Sequence, residues 1–202
     1  MKEITIGTTN EAKVKQIRGT LLPLGIAVTG MDDKGLLPDV KEDGTTAQEN
    51  ARKKAIAYAQ ALNKVVLSMD NALYLNGLAD SEQPGINVRR INNRTDRPSD
   101  QELLEYYSKK VEDLGGNIEG HWKFAICVAT PMGNIKETTI ESPRIFTSKV
   151  SSVNIPGYPL ESIQIDPVSK KYISEMSQNE QDIFWQKMIG QQLCDFVASL
   201  EF

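Results

Sequence analysis

Ile4-Thr5-Ile6-Gly7-Thr8-Thr9-Asn10-Glu11-Ala12-Lys13 decides how this chain is read. An apolar strand over 4–6 breaks at a glycine into three small polar residues, and an amphipathic helix carrying Lys13 and Lys15 follows. A strand that turns into a helix in this way leaves backbone N–H groups open at the helix N-terminus, where a phosphate can sit. The turn has neither the Gly-Lys-Ser/Thr of a Walker loop nor the three glycines of a dinucleotide fingerprint. Two readings stay open: an anion site at Thr8, Thr9 and Asn10, or an ordinary turn with Asn10 as helix cap.

Working outward, the helix over 11–22 places Ala12, Ile17, Leu21 and Leu22 near a helical period. It stops before Pro23 and Gly25 and leads to a strand near 26–28, a βαβ-like start. Residues 32–44, rich in Asp, Gly, Pro and Lys without periodicity, predict a loop. Thr45 or Thr46 then caps a helix to about residue 63 that bears Glu49, Asn50, Lys53 and Lys54. Val65-Val66-Leu67 reads as a strand buried on both faces, ending at Ser68-Met69-Asp70-Asn71. A carboxylate at the end of a central strand is a functional position in open α/β sheets.

The stretch 80–100 is polar, with Pro84-Gly85, Asn92-Asn93 and arginines at 89, 90, 94 and 97, and predicts a basic loop. Ser99 caps a helix to about residue 114, and Gly115-Gly116 ends it. Strands over 123–130 and 135–146, joined at Pro131-Met132-Gly133-Asn134, form a hairpin. Residues 150–171 are loop-like, and a final helix over 179–200 carries the apolar stripe Ile183, Phe184, Met188, Leu193 and Val197. Helices and strands alternate early and a hairpin comes late, so the class is α/β with a mixed sheet.

At 202 residues the chain is one large domain or two closely joined lobes, long enough to bury a core without disulfides or metals. A net charge of −4 excludes a surface built to follow a nucleic-acid backbone. Cys127 and Cys194 lie in apolar stretches and read as reduced core thiols. No apolar run approaches the roughly 20 residues that span a bilayer, and the first residues lack a basic-then-apolar leader, so the expectation is a cytoplasmic protein without a membrane partner. The single histidine, His121, has no catalytic partner at a motif spacing and reads as structural.

Chemistry converges on three elements: the turn at Thr8 to Asn10 with Lys13, the helix with Glu49 and Lys54, and the strand end with Asp70. Two carboxylates from separate elements can hold one Mg²⁺, whose octahedron water and substrate phosphates complete. Glu49 with Lys53 equally fits a solvated surface pair.

With these motifs in order the chain resembles the inosine triphosphate pyrophosphatase family, whose members hydrolyse deaminated purine nucleoside triphosphates to monophosphate and pyrophosphate. Thr8-Thr9-Asn10-Glu11-Ala12-Lys13 is similar to that family's opening Thr-Gly-Asn-x-x-Lys, and Glu49-Asn50-Ala51-Arg52-Lys53-Lys54-Ala55 meets its Glu-Asn-Ala-x-x-Lys-Ala in full. Met69-Asp70-Asn71-Ala72-Leu73 fills its Asp-Asp-Ser-Gly-Leu slot, and residues 84–90 its Pro-Gly-x-x-Ser-Ala-Arg, with Arg90 on the family arginine. Gly157-Tyr158 stands in the base-stacking loop without that loop's aspartate, and Trp185-Gln186-Lys187 in the Ser-His-Arg slot.

The resemblance implies an elongated mixed sheet flanked by helices, two lobes within residues 1–202 with a nucleotide cleft between them, and a homodimer. It implies catalysis by Asp70, Lys13 and Lys54, and a metal, Mg²⁺, on Glu49 and Asp70. Substrate contacts would come from Thr8, Thr9, Asn10, Lys13, Lys54, Asn71, Arg90, Tyr158, Gln186 and Lys187. The partner is a nucleoside triphosphate. Met69 and the altered base slots leave two other expectations open: a relative that binds a phosphorylated ligand without turnover, and a hydrolase of the same fold with another base preference.

Overall fold

The opening turn folds as its residue types require. In the computed structural model, which describes residues 3–31, 37–91, 96 and 98–201, strand β1 (Glu3–Ile6) leads through 7–10 into helix α1 (Glu11–Leu21). Gly7 has no alternative there: a Cβ would strike the Ser68 hydroxyl and lie 2.9 Å from the Val66 side chain. Asn10 caps α1, its Oδ1 accepting from the Lys13 N–H at 3.2 Å, while Thr8 Oγ1 accepts from the Asn10 N–H at 3.2 Å. Strand β2 (Ala27–Thr29) pairs parallel to β1, with Ile4 opposite Val28.

Helix α2 (Ala47–Leu62) starts at Thr46, whose hydroxyl accepts from the Glu49 N–H, and stops at Asn63 in the left-handed region (φ 51°). Its buried side is small: Ala47, Ala51, Ala55 and Ala59 lie on it with Asn50. Strand β3 (Val66–Leu75) pairs parallel to β1 only through Thr5–Val66 and Ile6–Leu67. Helix α3 (Asp100–Asp113) carries the full capping box of Ser99 and Glu102. Strands β4 (Asn117–Ala129) and β5 (Ile135–Thr147) follow, then the short β6 (Gln164–Ile165), antiparallel to β5. The six strands run in the order β2-β1-β3-β4-β5-β6 in one mixed sheet.

The chain divides into two compact units. The first holds Met1–Asn71, Lys123–Glu141 and Gln186–Phe202, and its core includes Ile4, Ile6, Ile17, Leu21, Leu67 and Leu193. The second holds Ala72–Trp122 and Ser142–Trp185, with a core of Leu73, Leu75, Leu103, Tyr107, Phe146 and Ile163. Both cysteines are buried and free, and the Cys194 thiol donates to the Thr20 carbonyl at 3.0 Å. His121 stacks on Tyr74, ring centroids 5.2 Å apart. No helix among the described residues is long and apolar enough to cross a membrane.

Four elements differ from the sequence expectation. Strand β3 does not end at residue 67 but continues to Leu75, so Asp70 stands mid-strand, three residues past Leu67, the last that pairs with β1. Buried Leu73 and Leu75 on either side of half-buried Tyr74 fit a strand there. Strand β4 begins at Asn117 rather than 123. The loop over 150–171 contains a 3₁₀ turn (Pro159–Ile163) and β6. The final helix is broken into α4 (Gln178–Trp185), a π turn (Gln186–Gly190) and α5 (Gln191–Ala198). Gly190 makes that π turn possible, because the Gln186 amide folds back over it where a Cβ would sit. Residues 32–36, Asn92-Asn93, Arg94, Arg97 and the Ala12 side chain lie outside the described residues.

Candidate active site

Lys54 sits on the small-residue side of α2, one turn beyond Asn50, and the alanines on that side let a long side chain reach β3. Its ammonium donates to the Asp70 carboxylate at 3.5 Å and to the Met69 carbonyl at 3.4 Å. It also lies 3.4 Å from Glu42 Oε2. The Lys54 side chain is 12% exposed, Asp70 18% and Glu42 50%, so one nearly buried cation serves two carboxylates. Lys53, one residue back and facing solvent, pairs with Asp43 at 2.6 Å. The acidic doublet Glu42-Asp43 is therefore matched by the basic doublet Lys53-Lys54.

Glu49 and Asn50 hold the backbone that follows that doublet. Asn50 is buried, and its Oδ1 accepts from the Gly44 N–H at 2.8 Å. The Glu49 carboxylate accepts from the Thr45 N–H at 2.6 Å and from its hydroxyl at 3.0 Å. Those hydrogen bonds hold the Glu49 carboxyl below its ordinary value. Gly44 is tightly enclosed: a Cβ would lie 2.6 Å from Asn50 Oδ1 and 2.8 Å from Glu49 Cβ. Glu42 was not singled out in the sequence, because a carboxylate in an aperiodic loop carries no local signal. The pairing of an acidic doublet with a basic one across a helix cap was the available clue.

Met69 is buried and alternates with Asp70, so its side chain packs while its carbonyl meets Lys54. Asn71 Oδ1 is buried with no hydrogen-bond partner among the described residues. An orphaned buried acceptor is costly unless a ligand or water supplies a donor. Among the described residues no group of three or more His, Cys, Asp or Glu could hold a metal ion. Glu42 and Asp70, both hard oxygen donors, fit a divalent cation of the kind that takes one or two carboxylates and completes its shell from water and phosphate.

The remaining expected residues fall in separate places. Thr8, Thr9, Asn10 and Lys13 lie within the opening turn of the first unit. Gln186 and Lys187 are exposed on the π turn of the same unit. Arg90 and Tyr158 belong to the second unit and are both exposed. Next to Arg90, Arg89 donates to the Gly157 carbonyl at 2.7 Å, and Asp100 accepts from the Gly157 N–H at 2.5 Å, with 3.6 Å between the two charges. The peptide before Tyr158 is thereby gripped from both sides, at a glycine with φ +83°.

Comparison with known proteins gives the family and the fold. The model of the Ham1 family matches residues 4–182. A dITP/XTP pyrophosphatase of Exiguobacterium sp. is 28% identical over 183 residues, covering 90% of this chain and 89% of that one. Its counterpart in Bacillus subtilis is 31% identical over 156 residues, 71% of this chain and 75% of the relative. A Streptococcus pyogenes dITP/XTP pyrophosphatase is 37% identical over 157 residues, and there the match spans about half, 47%, of the longer relative. The Staphylococcus aureus Ham1 protein superposes with a TM-score of 0.75 at 23% identity, over 98% of both chains. A HAM1 protein from Coxiella burnetii does so at 0.78 and 18% identity, over 99% and 100%.

Proposed function

The chain belongs to the Ham1 family, and on that premise we propose that it hydrolyses nucleoside triphosphates to monophosphate and pyrophosphate, with substrates of the dITP and XTP kind that its relatives are named for. The observation that carries this reading is the single ammonium of Lys54 shared by Glu42 and Asp70. Glu42 and Asp70 would hold the divalent cation, expected to be Mg²⁺. Such a cation supplies electrostatic relief of the phosphate charge as it builds in the transition state. Glu49, the ligand that the family pattern suggested, accepts from the Thr45 N–H and hydroxyl and would hold the segment that follows Glu42.

Lys54, with Lys13 and the polar turn Thr8-Thr9-Asn10, would neutralise the triphosphate and hold it in line. Asp70 would orient a water against the α-phosphorus and take its proton. The new P–O bond forms as the bond from the α-phosphorus to the bridging oxygen breaks, and pyrophosphate leaves with that oxygen. The buried Asn71 acceptor would receive a donor from the substrate. Arg90, Tyr158, Gln186 and Lys187 remain candidates for contacts with base and sugar.

Pyrophosphate release from dITP, XTP, ITP and ATP, each with and without Mg²⁺, tests the proposal. Release that prefers the deaminated bases, needs the cation and disappears in Asp70→Asn is the expected result. Tight nucleotide binding with no release from any of the four overturns it in favour of a non-hydrolytic binding protein, and near-normal turnover by Asp70→Asn removes Asp70 from its role.

A further inference from the structure

Tyr58, on α2, stands over the start of the opening turn. A Cβ built on Gly7 would strike the Ser68 hydroxyl and lie 2.9 Å from the Val66 side chain and 3.1 Å from Cδ2 of Tyr58. The edge of the Tyr58 ring therefore covers the glycine from which residues 8–10 depart. β3 pins that glycine from its own side: the Gly7 N–H donates to the Leu67 carbonyl at 2.8 Å, and the buried Ser68 hydroxyl donates to the Gly7 carbonyl at 3.3 Å.

Two rows of side chains fix where the phenol stands. On β3, Val66, Ser68 and Asp70 alternate onto one face. On α2, Asn50, Lys54 and Tyr58 follow one another at single turns, their Cβ atoms about 5–6 Å apart. Lys54 meets Asp70, while Tyr58 converges with Val66 and Ser68 on Gly7, so the helix row lies along the strand row. Tyr58 is thus one turn from the ammonium shared by Glu42 and Asp70, and helical side chains lean toward the N-terminus, here toward Lys54. All of these residues belong to the first unit.

Packing accounts for the ring, which fills the notch over Gly7, but not for the hydroxyl. Phenylalanine would fill the same notch with no polar group to desolvate. Tyr58 is half-buried, and its hydroxyl makes no hydrogen bond among the described residues. Burial, and then the charges of Glu42 and Asp39, raise the phenol above its ordinary value. It therefore stays an O–H, able to donate and unable to serve as a base.

We propose that Tyr58 is a further substrate-binding residue, its phenol donating a hydrogen bond to a phosphoryl oxygen of the triphosphate between the Lys54 ammonium and the 8–10 turn. The proposal rests on the hydrolase reading above and adds to it a donor outside the residues named there. A neutral donor suits this place, because a second ammonium would compete with the divalent cation for Glu42, as Lys54 already does.

Tyr58→Phe keeps the ring over Gly7 and removes only the hydroxyl. KM for dITP and for XTP is expected to rise by the same ~5–30-fold, with kcat within ~3-fold, since a hydrogen bond to a charged oxygen is lost whatever the base. A ring that only packs would leave both constants unchanged. Calorimetric titration with inorganic tripolyphosphate, which carries no base, should show the same loss of affinity. An unchanged KM, a loss confined to one base, or equal tripolyphosphate affinity in the two proteins overturns the proposal. If the wild type releases pyrophosphate from no triphosphate, the hydrolase reading fails instead. The tripolyphosphate titration then decides the phenol contact alone, equal affinity or no binding by the wild type refuting it.

Discussion

Replacing Lys54 by Met removes one charge at nearly constant length and should push two observables in opposite directions. The ammonium lies 3.4 Å from Glu42 and 3.5 Å from Asp70. At an effective dielectric of ~20, a pair at ~3.5 Å is worth about 4–5 kcal/mol before solvent screening. Glu42 is half exposed, so its share shrinks to the ~0.5–1 kcal/mol of a surface pair. Asp70, 18% exposed, retains more. Without Lys54 the triphosphate loses a cation at its most charged part, and kcat/KM should fall ~100–1,000-fold, the scale of a deleted electrostatic stabiliser. The two carboxylates, relieved of their competitor, should bind a divalent cation more tightly, so the Mg²⁺ concentration for half-maximal activity should fall. Titrating pyrophosphate release with Mg²⁺ for both proteins reads both effects. Turnover within ~3-fold of wild type, or a Mg²⁺ requirement that rises, would refute the shared-cation arrangement.

Two further outcomes concern stability. Glu161, lifted by burial to about 7 from 4.5, holds a proton in the folded state that the unfolded chain releases. That stabilisation is complete below pH ~4.5 and is lost as pH rises through ~7, a decline of up to about 3 kcal/mol. Urea unfolding at pH 5.5 and 8.0 should show it, and Glu161→Gln should flatten the slope. Gly120→Ala would place a Cβ 2.6 Å from the Tyr74 carbonyl oxygen and 2.9 Å from the Phe146 ring. A backbone oxygen cannot step aside, so the variant should lose about 3 kcal/mol and roughly 10 °C in Tm, read by calorimetry. An unchanged melting point would mean that β3 and β4 adjust freely at that point.

Local signals carried much of the fold. Asn10, Thr46 and Ser99 cap the helices that their residue types announced, and the hairpin turns at 131–134 between the two strands expected there. The face that Lys54 shares with Asn50 was legible from helical spacing. Glu42 was not, since its approach to Lys54 depends on Glu49 and Asn50 bonding back to the 44–45 backbone. The π turn was hidden because Gln186 to Gly190 scan as helix, and it is the fold of the Gln186 amide over Gly190 that widens the turn.

The sequence by itself determined most of the helices and strands and that the sheet is mixed. Caps and apolar periods are written within a few residues, and hydrogen bonding across a few residues enforces them. Tertiary structure alone decided that Glu42 reaches Lys54 and that Asp70 stands mid-strand beyond the end of β1. Those are encounters between residues far apart in the chain, and burial and charge select them only once the backbone has brought them together.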